Sequence, residues 1–136
     1  MNHVSQYPST FDGVALKAII RDKRGNVLLC KEGSSDAWSL PGGGWDHGET
    51  EHEALARELL EEVGYNGDFS AQIIGTEVFW LESKQAYLLW LVYEVTPENM
   101  DFSVGRDSSE IAFVDPSLMD VDSLAHEIVW IKKNLG

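Results

Sequence analysis

Gly43-Gly-Trp-Asp-His-Gly-Glu-Thr-Glu-His-Glu-Ala-Leu-Ala-Arg-Glu-Leu-Leu-Glu-Glu-Val-Gly-Tyr65 carries a glycine-rich loop straight into a helix. Both helix ends are marked. Thr50 is a good N-cap, and Glu53 three residues later completes a capping-box pattern. Gly64 stands where a left-handed residue stops a helix. At roughly 100° per residue, Leu55, Ala56, Leu59, Leu60 and Val63 share one broad side, the stripe expected to face a core. Glu58, Glu61 and Glu62 share another, with Glu51 near them. Acids three and four residues apart are helix neighbours, and each such pair repels by a few tenths of a kcal/mol. An acidic helix face is most often just a solvated one. A divalent cation reverses the sign, because hard metals take carboxylate oxygens. The glycine loop and Arg57 tip the reading towards the cation.

The fixed positions Gly43, Glu49, Arg57, Glu58, Leu59, Glu61, Glu62 and Gly64 match the Nudix box at its spacing, and in this the stretch resembles Nudix hydrolases. Tyr65 stands where the family usually has an aliphatic residue, a departure that concerns packing. The resemblance implies an α/β/α sandwich, a mixed β-sheet between helices. It implies Mg²⁺ as cofactor, with Mn²⁺ as substitute. Carried over position by position, it makes Glu58 and Glu62 the principal metal ligands. Glu61 becomes a further ligand or the water-activating base, and the carbonyl of Gly42 another ligand. Arg57 would orient Glu49 or Glu61 through its guanidinium fork. Glu110, outside the box, opens a short strand after a loop, where many family members place an extra metal-binding or base carboxylate.

Composition sets outer limits. A chain of 136 residues, 43% hydrophobic and 24% charged, suits one soluble globular domain over 1–136 with a polar lead-in at 1–12. No apolar run reaches the roughly 18 residues that span a bilayer. The start lacks a signal-peptide pattern. Cys30 is the lone cysteine, so no internal disulfide forms and a cytoplasmic setting is expected. Ten basic against 23 acidic residues give a net charge of −13, which disfavours a nucleic-acid backbone as partner. A small nucleotide stays open, because metal supplies positive charge locally. A homodimer is compatible with the sequence.

Upstream, Val14–Ile20 and Val27–Cys30 flank the turn-forming Asp22–Asn26 and read as a β-hairpin. Gly42–Gly44 is neither a Walker A loop nor a dinucleotide fingerprint. Downstream, Ile73–Trp80 and Tyr87–Val95 read as an antiparallel pair, the second covered on both faces. A loop near the site is expected over 97–109, a strand over Glu110–Val114, and an amphipathic helix from Asp122 to Leu135. Trp45, Phe79, Trp80, Tyr87 and Phe102 flank the expected pocket, with core packing the blander role for each. His47 stands in the glycine loop, His52 reads as structural, and His3 and His126 have no supporting neighbours. No cysteine–histidine cluster points to zinc.

The resemblance implies hydrolysis of a diphosphate bond by metal-activated water. The substrate class is a nucleoside triphosphate or a nucleoside diphosphate linked to another group. Phe79-Trp-Leu-Glu82 holds neither the proline that marks ADP-ribose enzymes nor the tyrosine that marks dinucleoside polyphosphate enzymes. The rivals are a nucleotide sensor on the same fold, an mRNA-decapping enzyme, and more distantly a prenyl-diphosphate isomerase.

Overall fold

The computed structural model describes residues 11–118, 131, 133 and 134. Apart from those last three, the expected C-terminal helix lies outside the described residues, as do His3, His126 and most of the lead-in. Among the described residues no helix is long and apolar enough to cross a membrane.

Six strands and one α-helix are described. They are β1 (Gly13–Ile19), β2 (Val27–Glu32), β3 (Gly42–Gly44), α1 (Glu51–Val63), β4 (Phe69–Leu81), β5 (Ala86–Pro97) and β6 (Ser108–Val114). Four strands make a mixed sheet in the order β3-β1-β5-β4, with β1 parallel to β5 and the other pairs antiparallel. β2 and β6 form a second, antiparallel sheet. The arrangement is an α+β sandwich with apolar clusters on two sides.

Alternation along the strands builds both clusters. Leu16, Ala18, Leu28, Cys30, Tyr93 and Val95 meet Ala54, Leu55, Leu59 and Val63 of α1. Ile19, Val27, Leu29, Trp90 and Val92 form the other side together with Ile131. β5 therefore contributes to both, as its apolar run predicts. It pairs with β4 from Leu81↔Ala86 down to Phe69↔Pro97.

The upstream hairpin does not form as expected. The turn is there, with Gly25 N–H donating to the Asp22 carbonyl and Asp22 N–H to the Asn26 carbonyl, both at 3.0 Å, but the pairing beyond it is limited to the bridge Arg21↔Val27 and a Leu28–Ile20 bond. β1 and β2 then part into different sheets. Both faces of β1 are buried from Leu16 to Ile19, and its two edges are taken by β3 and β5.

Helix α1 keeps the predicted ends. Thr50 Oγ1 accepts the Glu53 N–H at 3.1 Å, Glu53 Oε1 accepts the Thr50 N–H at 2.9 Å, and Gly64 is left-handed. Its buried face differs from the expected stripe. Leu60 is exposed, whereas Glu58 and Glu62 are buried beside Leu55, Leu59 and Val63. Rotation of the helix thus places two carboxylates against the sheet.

Candidate active site

Arg57 gathers the site. Its Nε donates to Glu49 Oε2 at 2.7 Å, and Nη2 to Glu49 Oε1 and to the Gly44 carbonyl, both at 2.9 Å. Nη1 donates to Glu58 Oε1 at 2.9 Å and reaches Glu61 Oε2 at 3.5 Å. A guanidinium has five N–H groups, so these contacts use the whole fork. Glu49 in turn accepts the Asp46 N–H at 3.1 Å, which ties the glycine loop to the helix. The Arg57 bonds hold the Glu49 carboxyl below the ordinary carboxylate range.

Glu62, only 3% exposed, accepts the Gly42 N–H on both oxygens at 3.2 Å. Gly42 has φ +140°, and a Cβ there would lie 1.9 Å from the Leu16 carbonyl oxygen. The backbone approach that creates this bond therefore requires glycine. Burial pushes the Glu62 carboxyl well above its ordinary value, and the neighbouring Glu32 adds to the rise. Burial also raises Glu58, with Arg57 pulling the other way.

Glu32 is a member that sequence reasoning missed. Ligand atoms of Cys30, Glu32 and Glu62 lie within 4.8 Å of one another. Alternation along β2 causes this, since Glu32 lies two residues beyond Cys30 on the same strand face. Opposite it β6 carries a bulge. Lys31 pairs with Glu110 but Glu32 pairs with Ser108, leaving Ser109 as an extra residue. Ser108, rather than Ser109, is thereby brought opposite Glu32, and Ser108 Oγ donates to the Glu62 carbonyl at 2.5 Å. Glu110 turns to the opposite face, where Lys31 Nζ meets its Oε2 at 3.2 Å. The apolar run read as a strand ends at Cys30, but β2 runs on to Glu32, and alternation continued by two residues is the signal that would have found it.

The structure thus brings Gly42, Glu49, Arg57, Glu58, Glu61 and Glu62 into one cluster and sets Glu110 apart with Lys31. Arg106 joins the cluster unforeseen, its Nη2 donating to Glu61 Oε1 at 2.9 Å. Among the aromatics, Phe79 packs on Trp90, Phe102 on Tyr65 and Phe113, and Trp80 on Tyr87. Trp45, with its Nε1 donating to the Glu49 carbonyl at 3.0 Å, lines a pocket of about 280 Å³ with Val14, Asp46, His47 and Gly48. His52, exposed on α1, stacks on Phe69.

Comparison with known proteins places this arrangement. The sequence model of the NUDIX domain matches residues 12–135. Nucleoside triphosphatase NudI from Enterobacter sp. (strain 638) is 31% identical over 108 residues, 70% of this chain and 77% of that protein. A putative 8-oxo-dGTP diphosphatase from Bacillus subtilis (strain 168) is 46% identical over 55 residues, 40% of this chain and only 37% of that protein. The crystal structure of a MutT protein from Methanosarcina mazei Go1 superposes with a TM-score of 0.72 at 23% identity, covering 89% of this chain and 91% of that one. With the box residues clustered on α1 and the match running almost end to end, the chain belongs to the NUDIX domain family.

Proposed function

We propose that the protein hydrolyses a diphosphate bond in a nucleoside triphosphate or a nucleoside diphosphate linked to another group, with a divalent cation as cofactor. The observation that carries this reading is the convergence of Glu49, Glu58 and Glu61 on the saturated fork of Arg57, next to buried Glu62.

The residues present fit a divalent cation. Glu58 and Glu62 are buried carboxylates whose ionised forms are disfavoured by burial, and a hard cation coordinated by oxygen offsets that cost. Glu58, Glu61 and Glu62, with the Gly42 backbone beside them, would hold Mg²⁺, or Mn²⁺ as substitute. When bound, the cation neutralises phosphate charge and acidifies a water.

The chain's own residues do the rest. Arg57 fixes the directions of Glu49 and Glu58, so carboxylate positions are set before substrate arrives. Gly42 N–H holds Glu62 in one orientation. Glu61, at the open end of the cluster, accepts the proton as the water oxygen bonds to phosphorus and the bridging P–O bond breaks. The products are a nucleoside monophosphate and the departing phosphate-bearing group.

A nucleoside triphosphate is the better supported substrate, since the relative named for that activity aligns over 77% of its own length. The net charge of −13 weighs against an RNA 5′ end. The sensor reading is disfavoured because every box carboxylate is held in place. A cytoplasmic setting suits the unpaired thiol of Cys30.

The test is a panel of nucleoside triphosphates and nucleoside diphosphate-linked compounds with Mg²⁺ or Mn²⁺, with products identified by mass. Cleavage at the diphosphate is expected. Glu61→Gln is expected to slow it by about 10²- to 10⁴-fold. No metal-dependent product from any compound would overturn the reading.

A further inference from the structure

The segment joining β5 to β6 is strapped onto the C-terminal end of α1. The last turn of a helix leaves carbonyls without intrahelical partners, and here the segment supplies them. Ser103 N–H donates to Val63 O at 2.9 Å, Gly105 N–H to Glu62 O at 3.3 Å and Asp107 N–H to Glu61 O at 2.9 Å. The contact is close enough that a Cβ on Gly105 would lie 2.2 Å from the Glu61 carbonyl oxygen. This strap delivers Arg106 to the open end of the carboxylate cluster. Arg57, Leu60, Glu61 and Arg106 line a cleft there of about 510 Å³.

The two arginines differ in what they have left to give. Every N–H of Arg57 is committed to Glu49, Glu58, Glu61 or the Gly44 carbonyl, and its side chain is 28% exposed. Arg57 can orient carboxylates but has no donor for a substrate. Arg106 spends Nη2 on Glu61, lies with Nε 3.8 Å from Asp107, and is 75% exposed. Arg106 lines the cleft, and among the described contacts its Nη1 is not spent on any carboxylate. A diphosphate presents more negative charge than the single carboxylate of Glu61, in the bidentate geometry a guanidinium prefers.

We propose that Arg106 is the substrate-positioning arginine of this site, passing from Glu61 to a phosphate oxyanion of the bound diphosphate, while Arg57 stays locked on the carboxylates. Leu60, the exposed apolar residue of α1, forms the wall beside it. This rests on the proposed hydrolysis for its consequences in turnover, but oxyanion binding tests it directly.

The experiment measures binding of inorganic pyrophosphate with Mg²⁺ by calorimetry, and steady-state kinetics on whichever compound the panel shows to be cleaved. Wild type, Arg106→Ala and Arg106→Lys are compared. Arg106→Ala is expected to weaken pyrophosphate binding and raise KM by about 10- to 100-fold, the loss of one charge-assisted hydrogen bond, with a much smaller change in kcat. Arg106→Lys is expected to recover part of the affinity, because charge returns without the fork. Equal pyrophosphate affinity in wild type and Arg106→Ala would overturn the proposal. So would a fall in kcat with affinity retained, which would make Arg106 a brace for Glu61, and so would a wild type that binds no pyrophosphate. Arg106-dependent pyrophosphate binding by a protein that cleaves nothing in the panel would sink the hydrolysis and leave the oxyanion role standing.

Discussion

Arg57 grips both oxygens of Glu49, eight residues earlier, at 2.7 and 2.9 Å. That pair closes the glycine loop onto the helix and leaves Glu49 committed before any ligand enters. Arg57→Lys keeps the charge but loses the fork. It is expected to lower kcat/KM by about 10- to 100-fold, with Glu49→Gln giving a similar loss. In the double variant the losses are expected not to add, because both remove one unit. Additive effects in the kinetic cycle would mean the two residues act separately.

Glu62 ties stability to pH in an unusual direction. Its carboxyl is raised above the ordinary 4.5, by burial first and then by Glu32. The folded chain therefore keeps a proton that the unfolded chain releases as pH rises above that value. Stability is then lost with rising pH across the window from 4.5 towards the raised value. Glu62→Gln removes this loss, and its amide oxygen can still accept from Gly42. In metal-free buffer the variant is expected to match wild type near pH 4 and to exceed it by at least about 1 kcal/mol near pH 8. Melting curves across pH check this. A stability gap independent of pH would contradict it.

Gly105 sets the distance between strap and helix. In Gly105→Ala the new methyl meets backbone atoms of Glu61 and Glu62 at 2.2 to 2.8 Å, which no side-chain rotation relieves. The strap must lift. A stability cost of about 1–3 kcal/mol is expected, read by urea denaturation, together with a higher KM as Arg106 leaves the cleft. A variant as stable as wild type would show that the strap is looser than its hydrogen bonds indicate.

Glu32 and Glu110 stand on opposite faces of the β2–β6 pair, and only Glu32 lies beside Glu62. Alternation along β2 puts Glu32 on the Cys30 face beside Glu62, and regular pairing sets Glu110 opposite Lys31. Glu32→Gln is expected to reduce Mn²⁺ affinity more than Glu110→Gln does, as measured by titration of the ion's electron paramagnetic resonance signal. The reverse order would mean that β6 shifts register when the ion binds.

Cys30 is fully buried, and burial pushes its thiol up to about 12, with Glu62 adding to the rise. A thiol so protonated is a poor nucleophile. Labelling by a disulfide reagent at pH 8 is expected to be slow in the native protein and fast in urea. Fast native labelling would place the thiol within reach of solvent.

Much of this site is local and therefore legible. The helix from Glu51 to Val63 is bounded by Thr50, Glu53 and Gly64, whose hydrogen bonds reach no more than six residues along the chain. Glu58, Glu61 and Glu62 share a region because helical periodicity alone puts them there. The antiparallel pairing of β4 with β5 was readable too, from two apolar runs and a short polar link.

Tertiary structure decided what depends on partners far away in sequence. Which helix face is buried was settled by the sheet, which took in Glu58 and Glu62 and left Leu60 outside. The separation of β1 from β2 goes with β3 and β5 taking both edges of β1. Strand side chains alternate with a period of two, so the continuation of β2 to Glu32 keeps that carboxylate on the Cys30 face, Glu110 falls on the other face beside Lys31, and the extra residue Ser109 brings Ser108 opposite Glu32. The meeting of Arg106 with Glu61, 45 residues apart, rests on backbone bonds between loop and helix end. The sequence alone determined the helix and its acids, because those contacts close within a turn or two. Only the folded chain determined which further side chains stand around them.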